Sequence, residues 1–196
     1  MHSLWEFPKS INICGTNYEI RSDYRDILNI INALNDPDTL GDDDQETAII
    51  RGSIMLEIMY VNYQDIPQEH LDEALACAKE FIDMGITEES KKPRLMDWEQ
   101  DAHAIIPAIN KTLNTEIRAC DYLHWWTFLG AYMEIGESLF SSILNIRQKK
   151  LKGKKLEIWE EEFYKENKSI IDLKSKSQRS TEEKEKLREY FGYKKT

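Results

Sequence analysis

The sequence predicts a mainly α-helical protein, a multi-helix bundle with a small N-terminal β-hairpin and a C-terminal helical extension. Apolar residues recur at three- and four-residue intervals along most of the chain, which is the spacing of one face of a helix. Only the first twenty residues carry the alternation typical of strands. A chain of 196 residues buries roughly 70% of its unfolded surface. The core therefore needs neither a disulfide nor a metal.

The predicted hairpin spans residues 11–20, with Gly15, Thr16 and Asn17 as turn residues. Asp23 follows as a helix cap, and the helical pattern continues to Leu34 before the run 35–38 ends it. The acidic run 41–44 lacks the glycine and glutamate of a calcium-binding loop, so we interpret it as a solvated loop.

Three further helices are predicted before residue 115. The first covers about 46–63, and the second begins at Ile66-Pro67 and ends at Gly85. The third covers about 96–113, with a kink or break expected at Pro107.

The longest predicted helix covers about 122–147 and contains adjacent tryptophans. Neighbouring positions on a helix point about 100° apart, so the two rings cannot fill one pocket. We assign Trp126 to the core and Trp125 to a second surface, which is either another part of the chain or a partner protein. Trp125 is therefore a predicted protein-binding residue.

Charge divides the chain into an acidic helical body with the hairpin, residues 1–147, and a basic helical C-terminal arm, residues 148–196. From Arg147 onwards there are 16 Lys and Arg against 10 Asp and Glu, a charge of +6 within a total of −10. The preceding residues carry −16. A lysine-rich linker opens the arm, so truncation after Lys150 is expected to leave a folded body. The arm's narrow apolar stripe supplies three more predicted protein-binding residues, Trp159, Phe163 and Ile170.

Composition also excludes several classes of protein. The acidic body argues against nucleic-acid binding, which needs clustered Lys and Arg. No apolar run reaches the ~18 to 20 residues of a membrane span, and the N-terminus lacks the pattern of a signal peptide. We therefore expect a cytosolic protein whose three separate cysteines are free thiols.

One pair of residues is a candidate for chemistry. Asp97 and Asp101 lie four positions apart and share a face if their segment is helical, where they would suit Mg²⁺ binding or acid–base catalysis. Acidic residues at a helix start more often complement the helix dipole. No nucleotide-binding or hydrolase motif occurs, so we predict no catalytic residue, no metal and no cofactor, and keep a metal-dependent enzyme as an alternative.

Several segments together resemble a small phage family known by its gene-product number, fifteen. The resemblance extends over about residues 9–150 and is most specific at the His-Trp-Trp run. The segments that carry it are Asp23-Tyr24-Arg25, Asp97-Trp98-Glu99-Gln100-Asp101 with Ile105-Ile106, Leu123-His124-Trp125-Trp126-x-Phe128, and Ile146-Arg147-Gln148-Lys149.

The resemblance implies a role in tail morphogenesis in the host cell cytoplasm. This family is encoded among the tail genes of long-tailed phages of Gram-positive bacteria and is thought to act as a tail assembly chaperone that binds the tape-measure protein. Self-association would follow from the many copies needed on one client. No catalytic residue carries over. A different class, an acidic phage protein that inhibits a host nuclease or defence protein, is kept as an alternative because of the −16 body.

Overall fold

The computed structural model describes residues 5–35, 44–85 and 93–174, with backbone only for residues 44–47. Within these ranges the chain forms one antiparallel hairpin and eight α-helices, which confirms the predicted fold class. The elements are β1 (Ser10–Ile13), β2 (Thr16–Glu19), α1 (Tyr24–Leu34), α2 (Asp44–Met59), α3 (Leu71–Ile82), α4 (Ala102–Leu113), α5 (Trp125–Met133), α6 (Leu139–Leu151), α7 (Ile158–Glu166) and α8 (Lys168–Ile171). The acidic run 41–43 and the short helix expected near residue 181 lie outside the described residues.

The hairpin turns one residue earlier than predicted. Its two central residues, Cys14 and Gly15, have φ angles of 47° and 88°. Positive φ at both positions is the geometry that matches the right-handed twist of a two-residue hairpin. Thr16, predicted as a turn residue, instead begins β2, and β1 buries Ile11 and Ile13 against the helices.

The start of α1 is joined to the start of α5. Asp23 caps α1 by accepting a hydrogen bond from the Arg25 amide, 2.9 Å away. Its other carboxylate oxygen accepts from the Leu123 amide at 2.9 Å, and the Tyr24 amide donates to the Leu123 carbonyl at 3.0 Å. One aspartate therefore satisfies donors from two distant segments, and it holds the beginning of α5 beside the beginning of α1.

The helix predicted over 96–113 begins only at Ala102. Before it, Asp97 closes a turn by accepting hydrogen bonds from the amides of Glu99 and Gln100 at 3.0 and 2.7 Å. Aspartate competes well for such local backbone donors, so the first residues form a turn instead of helix. Of the kink or break expected at Pro107, the break is wrong, because α4 continues through Pro107 to Leu113.

The helix predicted over 122–147 is two helices. α5 ends at Met133 and α6 begins after Ser138. Ser138 and Ser141 form a reciprocal capping box, in which each side chain accepts from the other residue's amide at 3.1 and 2.9 Å. This cap stabilises a new helix start that apolar spacing does not reveal.

Residues 156–174 pack on the body. The predicted boundary after residue 147 falls inside α6, and Ile171 of α8 is completely buried in the core cluster. The expectation that the arm lies apart from the main core therefore does not hold for the residues up to 174.

This packing reverses the expected result of truncation after Lys150. The shortened chain loses α7, α8 and the buried Ile171, so we expect a clearly lower urea midpoint than that of the full chain. Truncation after Lys174 is the matched control, since it removes none of the described contacts, and its midpoint should stay close to that of the full chain. Equal midpoints for the two truncations would contradict the packing.

Candidate functional site

The residues of the arm's apolar stripe differ in their exposure to solvent. Phe163 and Ile170, both predicted to bind a partner, are half-buried and pack against the core of the same chain. Trp159 points outward with 55% of its surface exposed, beside Ile158 at 81%. We call Ile158 and Trp159 the α7 contact surface. Of the predicted binding residues, only Trp159 lies on it.

A buried carboxylate fastens α7 to α6 underneath this surface. Glu160 is completely buried and accepts hydrogen bonds from the Lys149 ammonium at 2.6 and 2.8 Å. The Asn145 amide donates to it at 2.8 Å and the Glu157 backbone amide at 2.7 Å. These donors compensate the buried charge, and they hold the start of α7 in one position.

The same donors set the ionisation of Glu160. Burial raises the pKa of its carboxyl, but the hydrogen bonds from Lys149, the Glu157 amide and Asn145 outweigh burial, so the pKa lies below its usual value. A depressed pKa in the folded state means that the unfolded chain binds the proton more readily. The contribution of Glu160 to stability is therefore complete above the ordinary glutamate pKa of about 4.3, and it is lost as pH falls through the folded value.

We expect Glu160→Gln to lower the free energy of unfolding at pH 7 and to flatten its decline in acid. Urea unfolding at a series of pH values between 7 and 3 measures both effects. Glu162→Gln is the matched control, because Glu162 is an exposed carboxylate on the same helix. If both variants follow the parent at every pH, Glu160 does not fasten α7.

A second anchor lies at the end of α8. The Lys150 ammonium donates to the Asp172 carboxylate at 2.7 Å, and the Tyr164 hydroxyl donates to the same carboxylate at 2.9 Å. The Gln100 side chain also joins this end of the chain to the turn before α4, by donating to the Asp172 carbonyl at 2.9 Å. α7 and α8 are thus attached to the body at both ends.

The centre of this attachment is the ion pair between Asp101 and Arg147. The guanidinium donates two hydrogen bonds to the carboxylate, at 2.7 and 2.8 Å, and the Asp101 side chain is completely buried. Arg147 also donates to the carbonyls of Leu95 and Ile170 at 3.0 Å each, and to that of Ile171. One side chain of α6 therefore links the segment that leads into α4 to α8.

These contacts bear on the candidate metal pair. Both oxygens of Asp101 accept from Arg147, and Asp97 caps its own turn and pairs with Arg94. Among the described residues, no group of three His, Cys, Asp or Glu side chains lies close enough to hold a metal ion. The arrangement gives Asp97 and Asp101 structural contacts and does not support the metal-dependent alternative.

Both tryptophans of the His-Trp-Trp run are buried. Trp125 is 1% exposed and Trp126 is 8% exposed. Their indole N–H groups donate to the carbonyls of Ile82 and Phe81 at 2.8 and 2.9 Å, at the end of α3. The second surface is therefore another part of the chain, and the placement of Trp125 at a partner-binding surface is wrong.

His124 completes this cluster as the cap of α5. Its Nδ1 accepts from the Trp126 amide at 3.1 Å, which leaves Nε2 as the donor to the Pro8 carbonyl at 3.3 Å. Burial lowers the pKa of the imidazole, so the neutral ring suits both contacts. The most specific part of the motif is thus a helix cap and two core anchors.

Sequence reasoning did not find Glu160, Lys149 or Arg147 as organising residues. A signal exists for Glu160, which lies three positions before Phe163 on α7 and is therefore a neighbour of a side chain that packs on the core. A charge on an apolar face requires a partner.

The chain is a helical protein in which the α7 contact surface, Ile158 and Trp159, is exposed on a helix anchored to the body. The profile of the family described as bacteriophage Gp15 protein matches residues 5–173, and the chain belongs to that family. The family resemblance is thus confirmed, and the match extends past the expected residue 150 to include α7 and α8. No curated protein and no solved structure matches the chain. In the described part of the chain, no helix is both long and apolar enough to cross a membrane.

Proposed function

We propose that this phage protein is a non-enzymatic tail assembly chaperone that binds the tape-measure protein in the cytoplasm of a Gram-positive host. The observation that carries the proposal is the α7 contact surface, where Ile158 and Trp159 are exposed on a helix that buried hydrogen bonds hold in place. Family membership supports a role in phage biology.

The chemistry of the α7 contact surface suits an amphipathic helix. Exposed tryptophans are frequent hot spots of protein interfaces, and a helix carried on a rigid support loses little entropy on binding. The carboxylates of Glu157 and Glu162 flank the apolar pair and are exposed. A client helix with apolar residues beside Lys or Arg therefore matches the surface, and long helices of this kind aggregate when they are left uncovered.

Co-expression with the tape-measure protein of the same phage tests the proposal. The full chain should retain the tape-measure protein on affinity purification, and Trp159→Ser should weaken binding at least tenfold, the loss of a strong hot spot. Met133→Ser is the control, because Met133 is similarly exposed at 60% but lies on α5.

Two results would overturn the proposal. One is failure of the parent chain to retain the tape-measure protein. The other is recovery, from infected cells, of a host nuclease or defence protein with no tail protein, which would favour the inhibitory alternative.

A further inference from the structure

A groove with no described occupant lies between α1, α2 and α3. It is an open depression of about 580 Å³ between the end of α1 and the facing sides of α2 and α3. Leu34, Met55 and Leu75 give it an apolar wall, and Arg51 and Lys79 add two cations. We call it the α1–α3 groove. A volume of this size suits one or two large side chains from a ligand.

Arg51 indicates what kind of ligand fits. Its Nε atom is buried and has no hydrogen-bond partner in the part of the chain that the structure describes. A buried donor without an acceptor loses the hydrogen bonds it made in water, so a carboxylate that reaches this atom is favoured. The chemistry of the α1–α3 groove therefore selects an apolar side chain that is followed closely by a carboxylate.

α2 and α3 are in close contact at the base of the groove. At Gly52, a Cβ atom would lie 3.2 Å from Cδ1 of Leu75, so the two helices approach each other closely at this point.

The same chain carries a segment with the required chemistry. Beside the α7 contact surface, Glu162 lies four positions after Ile158 and three after Trp159, so its exposed carboxylate shares their helix face. Glu160 and Lys149 hold this part of α7 on α6 of its own body. A contact between α7 and the α1–α3 groove therefore needs a second copy of the chain.

We propose that the start of α7 in one copy docks into the α1–α3 groove of another copy. Trp159 packs against Leu34 and Leu75, and the Glu162 carboxylate accepts a hydrogen bond from Arg51. Because the two surfaces differ, the contact is heterologous and leaves a free groove at one end and a free α7 at the other. Copies therefore add head to tail. This inference goes beyond the proposed function, since it needs no client.

Sedimentation of the purified full chain over a range of concentrations tests the contact. The parent should grow past the dimer as concentration rises, and high salt should weaken growth through the Arg51–Glu162 pair. Trp159→Ser and Arg51→Glu should each remain monomeric. Lys79→Glu changes an exposed residue at the rim of the groove and should also weaken association. This second variant keeps the test valid if Arg51→Glu fails to fold. Met133→Ser and Lys111→Glu are matched controls that should associate like the parent.

Mixing the two defective variants gives the decisive result. Trp159→Ser keeps an intact groove and Arg51→Glu keeps an intact α7, so equal amounts should form a one-to-one dimer that does not grow further. The double variant Arg51→Glu with Glu162→Arg should recover self-association. A parent that stays monomeric at every concentration overturns the proposal, as does a mixture of the two variants that stays monomeric.

Discussion

Replacing Arg147 with methionine should lower the free energy of unfolding by about 3–5 kcal/mol, the usual loss when one partner of a buried ion pair is removed. Asp101 would then be a completely buried charge that has lost both guanidinium hydrogen bonds. The carbonyls of Ile170 and Ile171 would lose their donor as well. The variant should therefore loosen α8 together with the centre of the bundle.

A double-mutant cycle in urea separates these contributions. Asp101→Asn combined with Arg147→Met removes both charges. The double variant should therefore lose less free energy of unfolding than the two single variants lose in total. Arg118→Met is the control, because Arg118 forms an exposed ion pair with Glu116 and its removal should leave the stability close to that of the parent. An Arg147→Met variant as stable as this control would contradict the buried pair.

The two proposals share Trp159 but are separable. Arg51→Glu removes the groove and leaves the α7 contact surface intact, so it should abolish self-association while client binding persists. If the parent chain does not bind the tape-measure protein but still grows head to tail, the proposed function alone is contradicted. The groove variant is therefore the residue change that distinguishes a self-contact from a client contact.

Apolar spacing was sufficient to predict most helices and the hairpin, because each depends on residues close together in the sequence. It did not reveal the interruption between α5 and α6, where a capping box at Ser138 and Ser141 outweighs a continuous apolar pattern. Local polar contacts of this kind decide where a helix starts, and they leave only a weak mark on hydrophobic periodicity.

The site was harder to predict because its organising contacts join distant residues. Asp101 and Arg147 lie 46 positions apart, and nothing in their spacing pairs them. Both occur in the segments that carried the family resemblance, yet the resemblance gave no pairing. The charge of residues 148–196 suggested a separate arm, whereas the ion pairs of Lys149 and Lys150 attach the segment up to 174 to the body. Both ion pairs join residues of the predicted arm to each other, so the attraction expected between a basic arm and the acidic body stays a prediction.

The adjacent tryptophans can be compared directly by mutation. Their spacing in the sequence predicted that Trp125 lies at a partner-binding surface, whereas the structure buries it. Trp125→Ala should cost about 3–5 kcal/mol, at least as much as Trp126→Ala, because removal of a buried aromatic side chain leaves a cavity. Trp125 is less exposed than its neighbour, and its ring stacks on Phe128 with centroids 5.6 Å apart. Its indole also supplies the donor for the Ile82 carbonyl, which would be left without that bond.

Urea unfolding of the single variants measures the order of these losses. Trp159→Ala is the matched control, since its ring is half-exposed on α7 and its removal should change stability by no more than about 0.5 kcal/mol. We expect the stabilities to fall in the order parent and Trp159→Ala, then Trp126→Ala, then Trp125→Ala. A Trp125→Ala variant that unfolds at the parent's urea midpoint would show that this ring does not anchor α5 to α3, and would favour its placement at the surface.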